Sequence, residues 1–146
     1  MKKLLSLLLC GLMLFASVLP VYAANGGNDP IVPYMNNANR YQHTFAVSSS
    51  GEAMVKVDYV GKESAFTSIT VETYIQKKTL GLFWTKVDNG EANNTWVDTS
   101  TALSGTFTHS LQLENTGEYR AVFKITFSGT GGADDVIEKT LTYTYE

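Results

Sequence analysis

At 146 residues, with 44% hydrophobic and 12% aromatic content, the chain is the size of one folded domain and too apolar to stay disordered. Its 11 basic residues are outnumbered by 14 acidic ones, for a net charge of −3, which excludes a surface built for nucleic-acid phosphates. A single cysteine, Cys10, excludes a disulfide framework and a cysteine-based metal site.

The first element is MKKLLSLLLCGLMLFASVLPVYA, in which two lysines precede an apolar run and Val21 and Ala23 occupy the small-residue positions of a cleavage site. This pattern predicts a secretory signal over residues 1–23, cut after Ala23, and a secreted, extracellular protein. The exported chain, Ala24 to Glu146, is 123 residues with no cysteine and no membrane span. Without Lys2 and Lys3 it has nine basic against 14 acidic residues, a net charge of −5, which argues against membrane attack driven by anionic lipid.

Residues 24–39, ANGGNDPIVPYMNNAN, lack a sustained period and read as a flexible or weakly docked N-terminal arm. Every periodic segment from residue 40 to 146 alternates with period two, and no window has the i, i+3, i+4 pattern of an amphipathic helix. Seven strands follow. Tyr41 to Val47 and Ala53 to Tyr59 are joined by the turn SSSG, and Thr67 to Lys78 bends at Leu80-Gly81 into Phe83 to Val87. After the loop DNGEANN come a strand through Phe107 and Leu111, a strand from Tyr119 to Phe127, and a last one from Ile137 to Tyr145. Short strands at this spacing predict two packed antiparallel sheets.

LENTGEYRA sharpens that expectation. In immunoglobulin-like and fibronectin type III-like sandwiches a leucine stands six positions before a tyrosine whose hydroxyl ties the corner between strands to upstream backbone; Leu113, Gly117 and Tyr119 fit this structural corner. Ala121 stands where an immunoglobulin cysteine would, so the resemblance is to the disulfide-free form. The combination of the signal segment, IQKK (Ile75 to Lys78), WTKV (Trp84 to Val87), GEYRA (Gly117 to Ala121) and a late acidic-Thr strand resembles a family of small secreted proteins from Gram-positive bacteria with no established function. The resemblance implies export and a β-sandwich, and carries over no functional residue.

The sequence offers no matched nucleophile, base and acid, so no catalytic residue, metal or cofactor is expected, and the protein reads as a non-enzyme. His43 and His109 fall on inward phases and read as structural, without a carboxylate at ligand spacing. Asp134-Asp135 reads as a solvated turn, with a weak calcium site as the sharper alternative. The candidate binding residues are Tyr74, Phe83, Trp84 and Trp96, because flat rings on a sandwich face stack sugars and anchor protein interfaces. Trp84 reads first as a core residue between the sheets, since a domain without a disulfide needs a large one, whereas Tyr74 and Trp96 are the better candidates for exposure. The expected function is an extracellular binding module for a glycan or protein. The alternative is a structural or self-assembling protein that pairs through strand edges or the arm.

Overall fold

The computed structural model describes the backbone of Tyr22–Gly27 and all of residues 35–146. The described residues form nine strands: β1 (Tyr22–Gly27), β2 (Ala38–Ser48), β3 (Glu52–Gly61), β4 (Phe66–Thr79), β5 (Phe83–Lys86), β6 (Trp96–Ser100), β7 (Ser104–Gln112), β8 (Gly117–Gly129) and β9 (Asp135–Tyr145). One sheet runs β1-β2-β3-β7; the other runs β5-β4-β8-β9, with β6 following β5 along the same edge of β4. All pairings are antiparallel. The fold is therefore an all-β, immunoglobulin-like sandwich without a disulfide. Its β2-β3-β7 and β4-β8-β9 triplets have the A-B-E and C-F-G arrangement of that architecture.

Two strands exceed the seven expected. β1 has the sequence YAANGG, without a strand-favouring side chain beyond Tyr22, and is held by its main-chain ladder to His43–Ser48 of β2. β6, WVDTS, pairs with Ile69–Thr73 of β4. The expected signal over residues 1–23 lies outside the described residues apart from Tyr22 and Ala23. The expected arm, residues 24–39, begins in β1 and ends inside the fold, where Asn37 is fully buried. The folded unit therefore extends to the N-terminal side of residue 40.

The strands alternate because one face of each is dry. Phe45, Val47, Val55, Val57 and Tyr59 from the first sheet meet Ile69, Val71, Ile75, Phe123, Ile125 and Phe127 from the second, all buried. Each such side chain contributes roughly 1.5–3 kcal/mol on burial. Aromatic contacts cross the interface edge-on, with Tyr59 at 6.3 Å from Phe127 and Phe45 at 6.4 Å from Tyr143. His43 lies within this layer, buried, with its ring 5.3 Å from that of Phe123.

Two polar devices hold the ends of the sandwich. At the β7–β8 corner the Tyr119 hydroxyl donates to the Asn115 carbonyl at 2.6 Å, with Tyr119 and Leu113 both buried and Gly117 at φ 143°, as the spacing of Leu113, Gly117 and Tyr119 predicts. At the other end the Asp135 carboxylate accepts from three successive backbone N–H groups, those of Asn36 (2.8 Å), Asn37 (2.6 Å) and Ala38 (3.0 Å). Asn37 completes this clasp: its side-chain amide donates to the Ala133 carbonyl at 3.0 Å, and its Oδ1 accepts from the Gly131 N–H at 3.0 Å. Asp135 is thus committed to the entry strand, and among the described residues no cluster of three or more His, Cys, Asp or Glu is arranged to hold a metal ion.

Candidate functional site

β4 and β5 form a hairpin whose register decides where the candidate aromatic residues point. Lys78 pairs with Trp84 and Gln76 with Lys86, so these four share one face of the sheet; Thr79 pairs with Phe83 and Lys77 with Thr85 on the opposite face. β4 also pairs with β8, Tyr74 against Val122 and Gln76 against Arg120. Ile75 and Thr73 are buried on the inner face, which puts Tyr74, Gln76 and Lys78 on the outer one. Tyr74 and Trp84 therefore lie together on the outer face of the second sheet.

Both rings carry a cation. The Arg120 guanidinium lies 4.3 Å from the Trp84 ring centroid, with the Lys78 ammonium at 5.7 Å, and the Lys86 ammonium is 4.2 Å from the Tyr74 centroid. Each cation is also tied by polar groups. Arg120 Nε donates to Gln76 Oε1 at 2.7 Å, Lys78 pairs with Glu118 at 2.8 Å, and Lys86 donates to Thr95 Oγ1 at 2.7 Å and to the Asn93 carbonyl at 3.0 Å. Trp84 is half-buried on this outer face, not in the core between the sheets.

Trp96 overturns the expectation of an exposed ring. Only 7% of it is exposed, and it belongs to the core. β6 turns Trp96, Asp98 and Ser100 inward and leaves Val97 outside. The indole stacks on the His109 imidazole of β7 with centroids 4.9 Å apart and planes 6° from parallel. The same imidazole meets Asp98 Oδ2 through its Nε2 at 2.7 Å. β6 and β7 are the facing edges of the two sheets, so this trio closes one side of the sandwich. The carboxylate partner of His109 lies eleven positions away on another strand and has no signature in local spacing.

Phe83 separates from Trp84 as well. It belongs to the hairpin tip, where Thr79, Leu80, Gly81 and Leu82 reverse the chain and the Leu82 N–H donates to the Thr79 carbonyl at 3.1 Å. Leu80 and Gly81 have φ of 51° and 69°, the paired positive angles of a tight hairpin turn. Glycine adopts that region freely, whereas the leucine costs roughly 1–2 kcal/mol there. The turn holds Leu80 89% exposed, Leu82 77% and Phe83 61%.

A groove of about 460 Å³ also opens beside β6, lined by Glu72, Lys86, Glu91, Ala92, Asn93, Thr95 and Val97. No aromatic ring lines it, so it lacks the flat platform that sugar stacking needs. Of the four candidate binding residues, the structure thus brings Tyr74 and Trp84 together, sends Phe83 to the tip and buries Trp96. Sequence reading passed over Leu80 and Leu82; two leucines flanking a glycine at a hairpin turn, where polar residues are usual, were the available signal.

The architecture and this surface define a disulfide-free sandwich with an apolar hairpin tip. Comparison with protein-family models, with curated proteins and with solved structures finds no significant match to the chain.

Proposed function

We propose that the protein is a secreted, non-enzymatic binding module that engages its partner through the end of the β4–β5 hairpin. The observation that carries this reading is the row of Leu80, Leu82 and Phe83, three large apolar side chains held in water at one turn. Burying them against a partner recovers the transfer free energy that the folded monomer forgoes. Export is supported by the dilysine and apolar N-terminal segment and by the resemblance to small secreted Gram-positive proteins. The cation-covered faces of Tyr74 and Trp84 support the tip, in preference to a sugar platform on the sheet, as the contact region.

The test is retention of the purified protein on intact cells and on isolated cell walls, comparing wild type with Leu82→Ser/Phe83→Ser. Loss of retention in the variant, with an unchanged thermal unfolding midpoint, is the expected result. Equal retention of the two proteins overturns this placement of the site.

A second reading has its own observation. β9 is eleven residues long and, among the described residues, pairs on one side only, leaving an edge that could add a strand from another copy. Light scattering decides it, since a monomer at all concentrations removes self-assembly.

A further inference from the structure

The partner class follows from the shape and charge of the same hairpin end, so this inference rests on the reading above. We propose that the tip docks onto an anionic phospholipid surface, with Leu80, Leu82 and Phe83 entering the headgroup–acyl boundary and the hairpin lysines meeting lipid phosphates.

Three observations lead there. First, the described residues expose six large hydrophobic side chains, and three of them, Leu80, Leu82 and Phe83, fall within four consecutive positions; Val97, Leu103 and Val136 are scattered. They sit on a projecting turn, where a Cβ added at Gly81 would meet nothing within 4 Å. A convex apolar tip inserts into a fluid layer without needing a preformed pocket.

Second, the hairpin carries an excess of positive charge. From Thr73 to Val87 there are three lysines and no carboxylate, in a chain whose net charge is −3. Glu118, which approaches from β8, pairs with Lys78 at 2.8 Å so that the two charges cancel, which leaves Lys77, Lys86 and Arg120 as the net positive groups. Lys77 lies on one face of the hairpin, Lys78 and Lys86 on the other. A collar on both faces suits a plane that surrounds the tip, whereas a protein groove would need charge on the side it contacts. Positive groups of this kind are drawn to an anionic bilayer and screened by salt.

Third, the layers have the depth of a membrane interface. At about 3.3 Å per strand residue, Trp84 stands about one residue and Lys86 about 10 Å behind Phe83. That order, apolar tip, then indole, then ammonium groups, follows the sequence of acyl boundary, interface and headgroup over the roughly 5–10 Å that surface-bound elements penetrate. No helix among the described residues is long and apolar enough to cross a membrane, and the proposed docking needs none.

The experiment uses vesicles of phosphatidylcholine alone and of phosphatidylcholine mixed with phosphatidylglycerol, each with brominated acyl chains that quench tryptophan on contact. The chain has two tryptophans, and Trp96 is buried, so Trp84 reports the hairpin independently of the apolar N-terminal segment. The expected result is quenching on the anionic vesicles that weakens with added salt and disappears in Trp84→Phe. Leu82→Ser/Phe83→Ser should lower partitioning at least about tenfold, and Lys77→Gln/Lys78→Gln should lower it on anionic vesicles only. Absence of Trp84 quenching, or equal quenching in wild type and Leu82→Ser/Phe83→Ser, overturns the lipid proposal. If that double variant nevertheless loses retention on cells, the hairpin still binds and its partner is a protein or glycan. If it loses neither, both readings fall together.

Discussion

Two tryptophans twelve residues apart on neighbouring strands have opposite roles, and the difference is set by parity. Trp84 is paired with Lys78 on the outer face, and Trp96 is paired with Thr73, a buried inner-face position. Trp96→Ala should cost about 3–5 kcal/mol, because it empties a core site and strips the His109 ring of its stacked partner. Trp84→Ala should cost about 1 kcal/mol, the order of an exposed cation–π contact. Denaturant midpoints of the two variants at constant slope check the contrast. The sequence could not supply the parity: the strand period assigns residues to faces only relative to a known neighbour, and the Leu80-Gly81 turn resets the count. Asp58 gives a prediction of a different kind. Burial pushes its carboxyl up, but the Lys56 ammonium at 2.7 Å and the Thr106 hydroxyl at 2.6 Å outweigh that and hold it below its ordinary value of 3.8. Its contribution to stability is therefore complete above the ordinary value and lost as pH falls through the lowered one. Thr106→Val should raise the Asp58 titration midpoint, seen by NMR, and should destabilise the protein at neutral pH but not in strong acid.

At the scale of elements, the clasp at Asp135 shows how much stability rests on one side chain. Three backbone N–H groups point at its two oxygens, and Asp135→Asn would replace one acceptor by a donor facing donors. The expected loss is about 2–4 kcal/mol, read as a fall in Tm of the order of 10 °C, with protection from hydrogen exchange lost first at Asn36 to Ala38. This contact had no local signature. Asp134-Asp135 in a glycine-rich turn reads as solvated, and only the fold brings Asn36 and Asn37 to it. The strong strands were legible because β3, residues 69–75 of β4 and residues 119–127 of β8 alternate between buried and outward residues. β6 was not legible, since its inward positions are Trp96, Asp98 and Ser100 and two of the three are polar. β1 was not legible either, because YAANGG pairs through main-chain groups that any residue supplies.

Over the whole molecule, net charge and charge placement tell different stories. The excess of carboxylates led to the expectation of weak attraction to anionic lipid, yet the hairpin from Thr73 to Val87 is a basic segment with an apolar end. A field set by neighbouring groups falls off within about 8–10 Å at ordinary ionic strength, so the distal acidic residues do little to cancel it at the tip. Whole-chain charge can be counted from sequence; its segregation depends on which strands the topology places side by side. The sandwich itself was legible for the complementary reason, that alternation and the corner of Leu113, Gly117 and Tyr119 are local patterns with one architectural outcome.

The clasp also bears on the order of events when the chain is made. Its donors and acceptor lie 97 to 99 positions apart, so the entry segment has nothing to close on until Asp135 has emerged. The two central strands of the second sheet, β4 and β8, are likewise separated by the whole of β5 to β7. A chain appearing N-terminus first can therefore pair β1 with β2, β2 with β3 and β4 with β5 early, but joins β4 to β8 only once β8 has emerged and closes the clasp only after Asp135. If the protein is exported as proposed, that delay leaves the second sheet open while the chain is threaded through a channel.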